Sequence, residues 1–269
     1  MPDEKVKFFE LTVDDHVGIL KIKKPERLNA LSAEMVDELF DQCRAIEKRD
    51  DILVLVLTGE GKAFCAGGDI DAWSSESAQD FGRHWIRNGH DAFDALARLR
   101  QPVIAVLNGH TLGGGLELAA CADYRVAEEH VKIGQPETGL GIIPGWSGTQ
   151  RAVRRFGAQA VRKMALFGVI YTADQASAEG IVDLVAEKGA GVEAALELAK
   201  SVVARGAEAT ELTKMLINTA EGEERERVLE ALAGRIAAGS NEIVEGLAAF
   251  KEKRKPEFPI SGTNKKELR

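Results

Sequence analysis

The chain has 269 residues, 45% of them hydrophobic, enough to bury a core and too many for a disordered segment. Its 35 Lys and Arg against 43 Asp and Glu give a net charge of −8, which repels phosphate backbones and anionic lipid and argues against nucleic acid and membrane as partners. The longest apolar run, Ile52 to Leu57, is far short of the roughly 20 residues that span a bilayer.

The first 15 residues alternate charged with apolar side chains and have neither a hydrophobic signal core nor an Arg-rich transit character, so a cytoplasmic location is expected. Strand-like patches follow at Val17 to Ile22, Ile52 to Thr58, Val103 to Leu107, Tyr124 to Val126 and Ile181 to Val185. Several are continuous and β-branched, as in strands covered on both faces. Between them lie helical patterns. Ser32 to Lys48 places Met35, Val36, Leu39, Phe40, Cys43 and Ile46 at helical spacing behind a Ser N-cap, and a second pattern runs from Phe81 to Leu99 and stops before Pro102. This alternation predicts an α/β fold with largely parallel pairing. From Val192 the pattern turns helical, through Leu196, Ala199, Val202 and Val203, then Leu212, Met215 and Leu216, then Val228, Leu229 and Leu232. The expected division is an α/β core over 1–190, a helical region over 191–260 and a polar tail over 261–269. Cys43, Cys65 and Cys121 are odd in number and set among apolar neighbours, which predicts buried reduced thiols.

Spelling excludes several chemistries. There is no CxxC or HExxH, and the five histidines are scattered, so no metal site is legible. Gly59 to Lys62 lacks the first glycine and the Ser/Thr of a phosphate-binding loop. Gly145 to Thr149 lacks the last glycine of a nucleophile elbow, and Gly139-Leu-Gly141 does not continue as a dinucleotide fingerprint. What remains is glycine beside acid. Gly113-Gly114-Gly115 follows the strand Val103 to Leu107 and leads into an Ala-rich helix, so bare backbone N–H groups face whatever lies at the helix start. Gly67-Gly68 follows the strand ending at Thr58 and could supply a second donor, the two strands bringing both turns to one edge. Glu117 lies in the first helical turn after the glycines, and Glu137 follows in a turn-rich loop. Alone, the first reads as a dipole or capping residue and the second as a solvated loop carboxylate.

Together these segments resemble the enoyl-CoA hydratase/isomerase family, also called crotonases. The resemblance is carried in order by Pro25 to Leu31 (PERLNAL), Leu57-Thr-Gly59, Ala63 to Asp69 (AFCAGGD), Pro102 to Gly109 (PVIAVLNG), Leu112 to Ala119 (LGGGLELA), Gly134 to Glu137 (GQPE), Ile143-Pro-Gly145, Gly148-Thr-Gln150 and Phe250 to Arg254 (FKEKR). It implies a ββα spiral core followed by a helical C-terminal trimerisation region, with trimers often paired into hexamers. It also implies an acyl-CoA substrate whose thioester carbonyl is polarised by the amides of Gly68 and Gly114. Arg27, Leu28, Ala66, Asp69 and Ile70 match the segments that hold coenzyme A, and Phe250 and Lys253 match positions that reach it from a neighbouring subunit. Coenzyme A enters with the substrate, and no metal or other cofactor is implied. Hydratases of the family carry two glutamates, matched by Glu117 and Glu137.

The expected reaction is addition of water across a 2-enoyl-CoA thioester, with Glu117 kept ionised near a helix start as base and Glu137, in a drier pocket, as acid. Isomerisation, which needs only the carboxylate at Glu137, is the nearest alternative. RNA binding, found in a branch with a lysine-rich helix, is disfavoured because Ser32 to Arg49 carries Glu34, Asp37, Glu38, Asp41 and Glu47. A catalytically silent trimer is the remaining alternative. Trp146 and Ser147 depart from the family's usual small residue and glycine. The indole is expected either to shape the acyl pocket or to pack as a surface aromatic.

Overall fold

A computed structural model describes residues 7–258. Residues 1–6 and 259–269, which include the whole polar tail 261–269, lie outside that span. The chain opens with β1 (Phe9–Asp14) and β2 (Val17–Ile22), an antiparallel hairpin whose two loop residues, Asp15 and His16, both adopt positive φ. Such turns match the right-handed strand twist. Helix α1 (Ala33–Glu47) then buries Cys43 together with Met35, Val36, Leu39 and Ile46, the last four contributing roughly 1.5 to 3 kcal/mol each on full burial. Ser32 caps it in extended conformation but makes no capping hydrogen bond.

Strands β3 (Val54–Gly59) and β4 (Ala63–Cys65) follow, then the short helices α2 (Ile70–Trp73) and α3 (Ala78–Asp80), a π-helical turn Phe81–Ile86, and α4 (Arg87–Ala97). Next come β5 (Val103–Leu107), β6 (His110–Leu112), α5 (Gly114–Ala119), β7 (Tyr124–Glu128) and β8 (Lys132–Gly134). Helices α6 (Arg151–Phe156) and α7 (Ala158–Phe167), strand β9 (Tyr171–Thr172), α8 (Ala173–Ala178) and β10 (Leu184–Ala186) complete the α/β part.

Two sheets result. The larger has the order β1-β2-β3-β5-β7-β10 and is parallel except for the β1–β2 pair; β3 and β5 are buried along their whole length, as their apolar spelling predicts. The smaller has the order β4-β6-β8-β9. A long strand of the first sheet repeatedly passes into a short strand of the second, as β3 into β4, β5 into β6 and β7 into β8. This is the ββα repeat that the sequence resemblance implies, and its short strands, of two or three residues, carry too little periodicity to be read from sequence.

Helix α9 (Gly191–Val203) lays Ala195 and Ala199 on the larger sheet against Val17, Val54, Val56, Ile104, Val106 and Val126. The first compact unit therefore runs past the change of periodicity near residue 190 and ends at Lys214, within α10 (Ala207–Ala220). Lys214 is almost wholly buried; its ammonium donates to the Gln101 carbonyl at 2.9 Å and pairs with Asp123 at 2.7 Å. The second unit begins at Met215 and holds the end of α10, then α11 (Arg225–Ala238) and α12 (Asn241–Glu252). All three cysteines are buried thiols outside any disulfide. Among the described residues no helix is long and apolar enough to cross a membrane, and no group of His, Cys, Asp and Glu converges in metal-holding geometry.

Candidate active site

The smaller sheet assembles the site. In register, Cys65 of β4 lies beside Thr111 of β6, and Leu112 of β6 beside Gly134 of β8. The segments leaving these three neighbouring strands are Ala66 to Asp69, Gly113 to Glu117 and Gln135 to Glu137, so all emerge at one edge. The sequence reading expected the long strands to do this; the short strands after them do it instead.

At that edge two glycine turns nearly touch. Gly67 and Gly113 hold φ of +111° and +54°, where a side chain is strained. A Cβ on Gly67 would stand 3.4 Å from the Gly114 amide nitrogen, and one on Gly114 would stand 3.3 Å from the Gly68 nitrogen. The third glycine answers to packing, since a Cβ on Gly115 would fall 2.0 Å from the Cys65 carbonyl oxygen. Among the described residues neither the Gly68 nor the Gly114 amide donates a hydrogen bond to the protein. Both border a cavity of about 120 Å³ that is also lined by Glu117 and Glu137.

The two carboxyls are held differently. Glu117 is 3% exposed, and its Oε1 accepts the amides of Trp146 at 2.6 Å and Gly148 at 2.7 Å. Burial, reinforced by the charge of Glu137, pushes it up to about 8, while those amides and the buried Arg151 guanidinium pull the other way. Glu137 opens a 3-10 turn (Glu137–Leu140) and is half-buried; neither of its carboxyl oxygens has a partner among the described residues, and burial pushes it up to about 7. This reverses one expectation. The drier carboxyl is Glu117, because desolvation inside the core outweighs the favourable field of a single helical turn.

Ser147 lies between the two residues that supply these amides. It adopts φ of +77°, so that the N–H groups on either side of it turn toward one carboxylate oxygen, and its hydroxyl hydrogen-bonds His90 Nδ1 at 3.1 Å. Trp146 points inward and is 2% exposed, which decides between the two orientations that the sequence left open. Sequence reasoning missed Arg151, 1% exposed, which donates to Asp94 and to Cys121 Sγ; the polar spelling around it conceals a buried charge.

Of the segments matched to coenzyme A, two are joined to each other. The Ala66 amide donates to the Leu28 carbonyl at 3.1 Å, and the nearly buried Asp69 pairs with Arg27 at 3.0 Å and Lys24 at 3.5 Å. Burial alone would raise Asp69, but these cations hold it below the ordinary range. Arg27 also pairs with Asp71. Leu28, in left-handed conformation, and Ile70 are exposed, and Ile70 borders the cavity. Phe250 and Lys253 lie in the second unit, Phe250 exposed on α12 and Lys253 at that helix's C-terminal cap with φ of +54°.

Residues 12–260 match the family described as enoyl-CoA hydratase/isomerase. The chain belongs to that family. It is 34% identical to crotonyl-CoA hydratase of Syntrophomonas wolfei over 92% of this chain and 96% of that protein, and 34% identical to short-chain-enoyl-CoA hydratase of Clostridium acetobutylicum over 92% and 95%. Among solved structures, enoyl-CoA hydratase from Bacillus anthracis superposes with a TM-score of 0.78 at 32% identity, covering 94% of this chain and 99% of that one. DspI of Pseudomonas aeruginosa gives 0.77 at 30% identity, covering 96% and 99%. The fold is the crotonase fold of this enoyl-CoA hydratase/isomerase family, α/β with a helical C-terminal region.

Proposed function

We propose that this protein hydrates a 2-enoyl-CoA thioester to a 3-hydroxyacyl-CoA. The observation that carries the reading is two carboxyls, both held above the ordinary range, lining one cavity with two amides that have no internal acceptor. The amides of Gly68 and Gly114 donate to the thioester oxygen as enolate charge develops there, each worth roughly 2.7 to 4 kcal/mol in the transition state. Near neutral pH the carboxyls share one proton, since two charges in one dry site repel. The water oxygen bonds to C3 and its proton passes to the ionised carboxylate; the protonated partner delivers its proton to C2. The pair starts and ends with one proton, now on the other carboxyl, and its return between the two through solvent closes the cycle without another reactant. Coenzyme A arrives as part of the substrate and calls for no resident cofactor.

The Arg27–Asp69 pairing and the Leu28–Ala66 hydrogen bond shape the rim on which the coenzyme A portion rests in this reading. The exposed apolar residues Leu229, Ile236, Leu247 and Phe250 of α11 and α12 favour a subunit contact, a trimer or a pair of trimers, that brings Phe250 and Lys253 to a neighbour's substrate. Light scattering giving a monomer at micromolar concentration would count against that assembly.

The test is turnover of crotonyl-CoA in ¹⁸O-labelled water. Hydration yields 3-hydroxybutyryl-CoA with the label at C3. Loss of activity on 2-enoyl thioesters combined with unlabelled double-bond migration of 3-enoyl thioesters would replace hydration by isomerisation.

A further inference from the structure

Trp146 occupies the space directly behind the two amide-bearing turns. A Cβ on Gly114 would stand 3.1 Å from its Cε3 and Cζ3, and one on Gly68 would stand 3.6 Å from its Cη2. The six-membered ring thus reaches from one turn to the other, and Trp85 Cζ2, 2.9 Å from the same Gly68 position, extends the wall. The indole is fixed there. Its Nε1 donates to the Trp85 carbonyl at 3.1 Å, and its ring packs 4.8 Å from the Trp85 centroid and 5.1 Å from that of Phe93.

Room for it is made by a glycine in the interior of α4, where glycine weakens a helix. A Cβ on Gly89 would fall 1.9 Å from Nε1, so only glycine lets the helix pass the indole. Gly89 and Trp146 are a matched pair. The π-helical turn just before α4 sets Phe81, Trp85 and Ile86 along the same cavity.

The space left is small. Open on one side, the cavity holds about 120 Å³, of the same order as the roughly 150 Å³ of a closed apolar cavity that takes one benzene ring. It has to take the acyl carbons and the attacking water together. Resting on the hydratase reading, we infer that Trp146, seated by Gly89 and backed by Trp85, is a specificity-determining residue that restricts the acyl group to short chains.

The experiment measures kcat/KM for the 4-, 6-, 8- and 10-carbon 2-enoyl-CoAs and, independently of turnover, calorimetric Kd for the saturated butyryl- and decanoyl-CoAs. The wild-type protein is expected to lose roughly 10-fold or more in kcat/KM between six and ten carbons. Trp146→Ala should raise the ten-to-four-carbon ratio by roughly 10-fold or more, and Gly89→Ala, by pressing the indole into the cavity, should lower the six-to-four ratio. A flat wild-type profile with equal butyryl and decanoyl affinity overturns the inference, as does an unchanged ratio in Trp146→Ala. Should Trp146→Ala not fold, Trp85→Leu thins the same wall, and the wild-type profile and affinities still decide. Absence of turnover at every length with butyryl-CoA bound well above decanoyl-CoA would refute the reaction and leave the length restriction standing.

Discussion

The two walls of the cavity differ in how they hold a carboxyl. On one, Glu117 is set by a short helix in the core and clamped through Oε1 by the amides of Trp146 and Gly148. On the other, Glu137 stands at the start of a 3-10 turn with both oxygens unpartnered among the described residues. One wall is built as structure as well as chemistry, and the other offers its carboxyl to whatever enters. A single carboxylate oxygen ties the loop at 146–148 to the core, so disturbance of Glu117 should spread where disturbance of Glu137 does not.

The largest effect expected is on rate. Glu117→Gln and Glu137→Gln should each lower kcat for crotonyl-CoA by about 10² to 10⁴-fold, because each removes a group through which the proposed hydration moves a proton, and stopped-flow or steady-state assays read this directly. Near-wild-type turnover by either folded variant would break the two-carboxyl mechanism. Gly114→Pro, which deletes one amide donor at a helix start that tolerates proline, should cost roughly 10² to 10³-fold in kcat. Circular dichroism serves there as the folding control, since a Cβ at this position also meets Trp146 at 3.1 Å.

Stability separates the walls more sharply. Glu117→Ala strands two buried amides, at about 1 to 3 kcal/mol apiece, and should lower the urea midpoint measurably, whereas Glu137→Ala strands none and should leave it unchanged or raise it. Equal destabilisation by the two would erase the contrast.

The pH dependence follows from the same burial. Both folded carboxyls titrate above an ordinary value of 4.5, near 8 for Glu117 and near 7 for Glu137. In that window the folded chain keeps protons that the unfolded chain releases, so the stabilisation is complete below about 4.5 and is lost as pH rises through 7 and 8. The Tm of the wild-type protein should therefore fall from about pH 5 to about pH 8.5 more steeply than that of the Glu117→Gln/Glu137→Gln double variant. Parallel curves would show that neither group is shifted.

The smallest effect concerns the clamp itself. Ser147→Gly relieves a left-handed conformation costing about 1 to 2 kcal/mol and removes the hydrogen bond to His90, worth about 1 kcal/mol, so stability should change by no more than about 1 kcal/mol. A large loss of stability with kcat intact would mean that the Ser147–His90 contact, and not Glu117, holds the loop.

Much of this molecule is written locally. Strand β5 is an unbroken apolar run and β3 is one as far as Leu57, and Val17–Ile22 and Val103–Leu107 emerge with the bounds their spelling predicts. The glycines at 67–68 and 113–115 and the acids at 117 and 137 sit in short motifs whose order alone carries the family. What the sequence could not state depends on residues far apart in the chain. Strands of two or three residues have no readable period, so the sheet that gathers the site became visible only in register. The protonation environment of Glu117 is a sum over groups brought to it from Glu137, Trp146, Gly148 and Arg151, and no local pattern records that sum. The inward turn of Trp146 is likewise decided by an absent side chain at Gly89, 57 residues earlier, because burial of an indole requires a vacancy that only the packed helix provides.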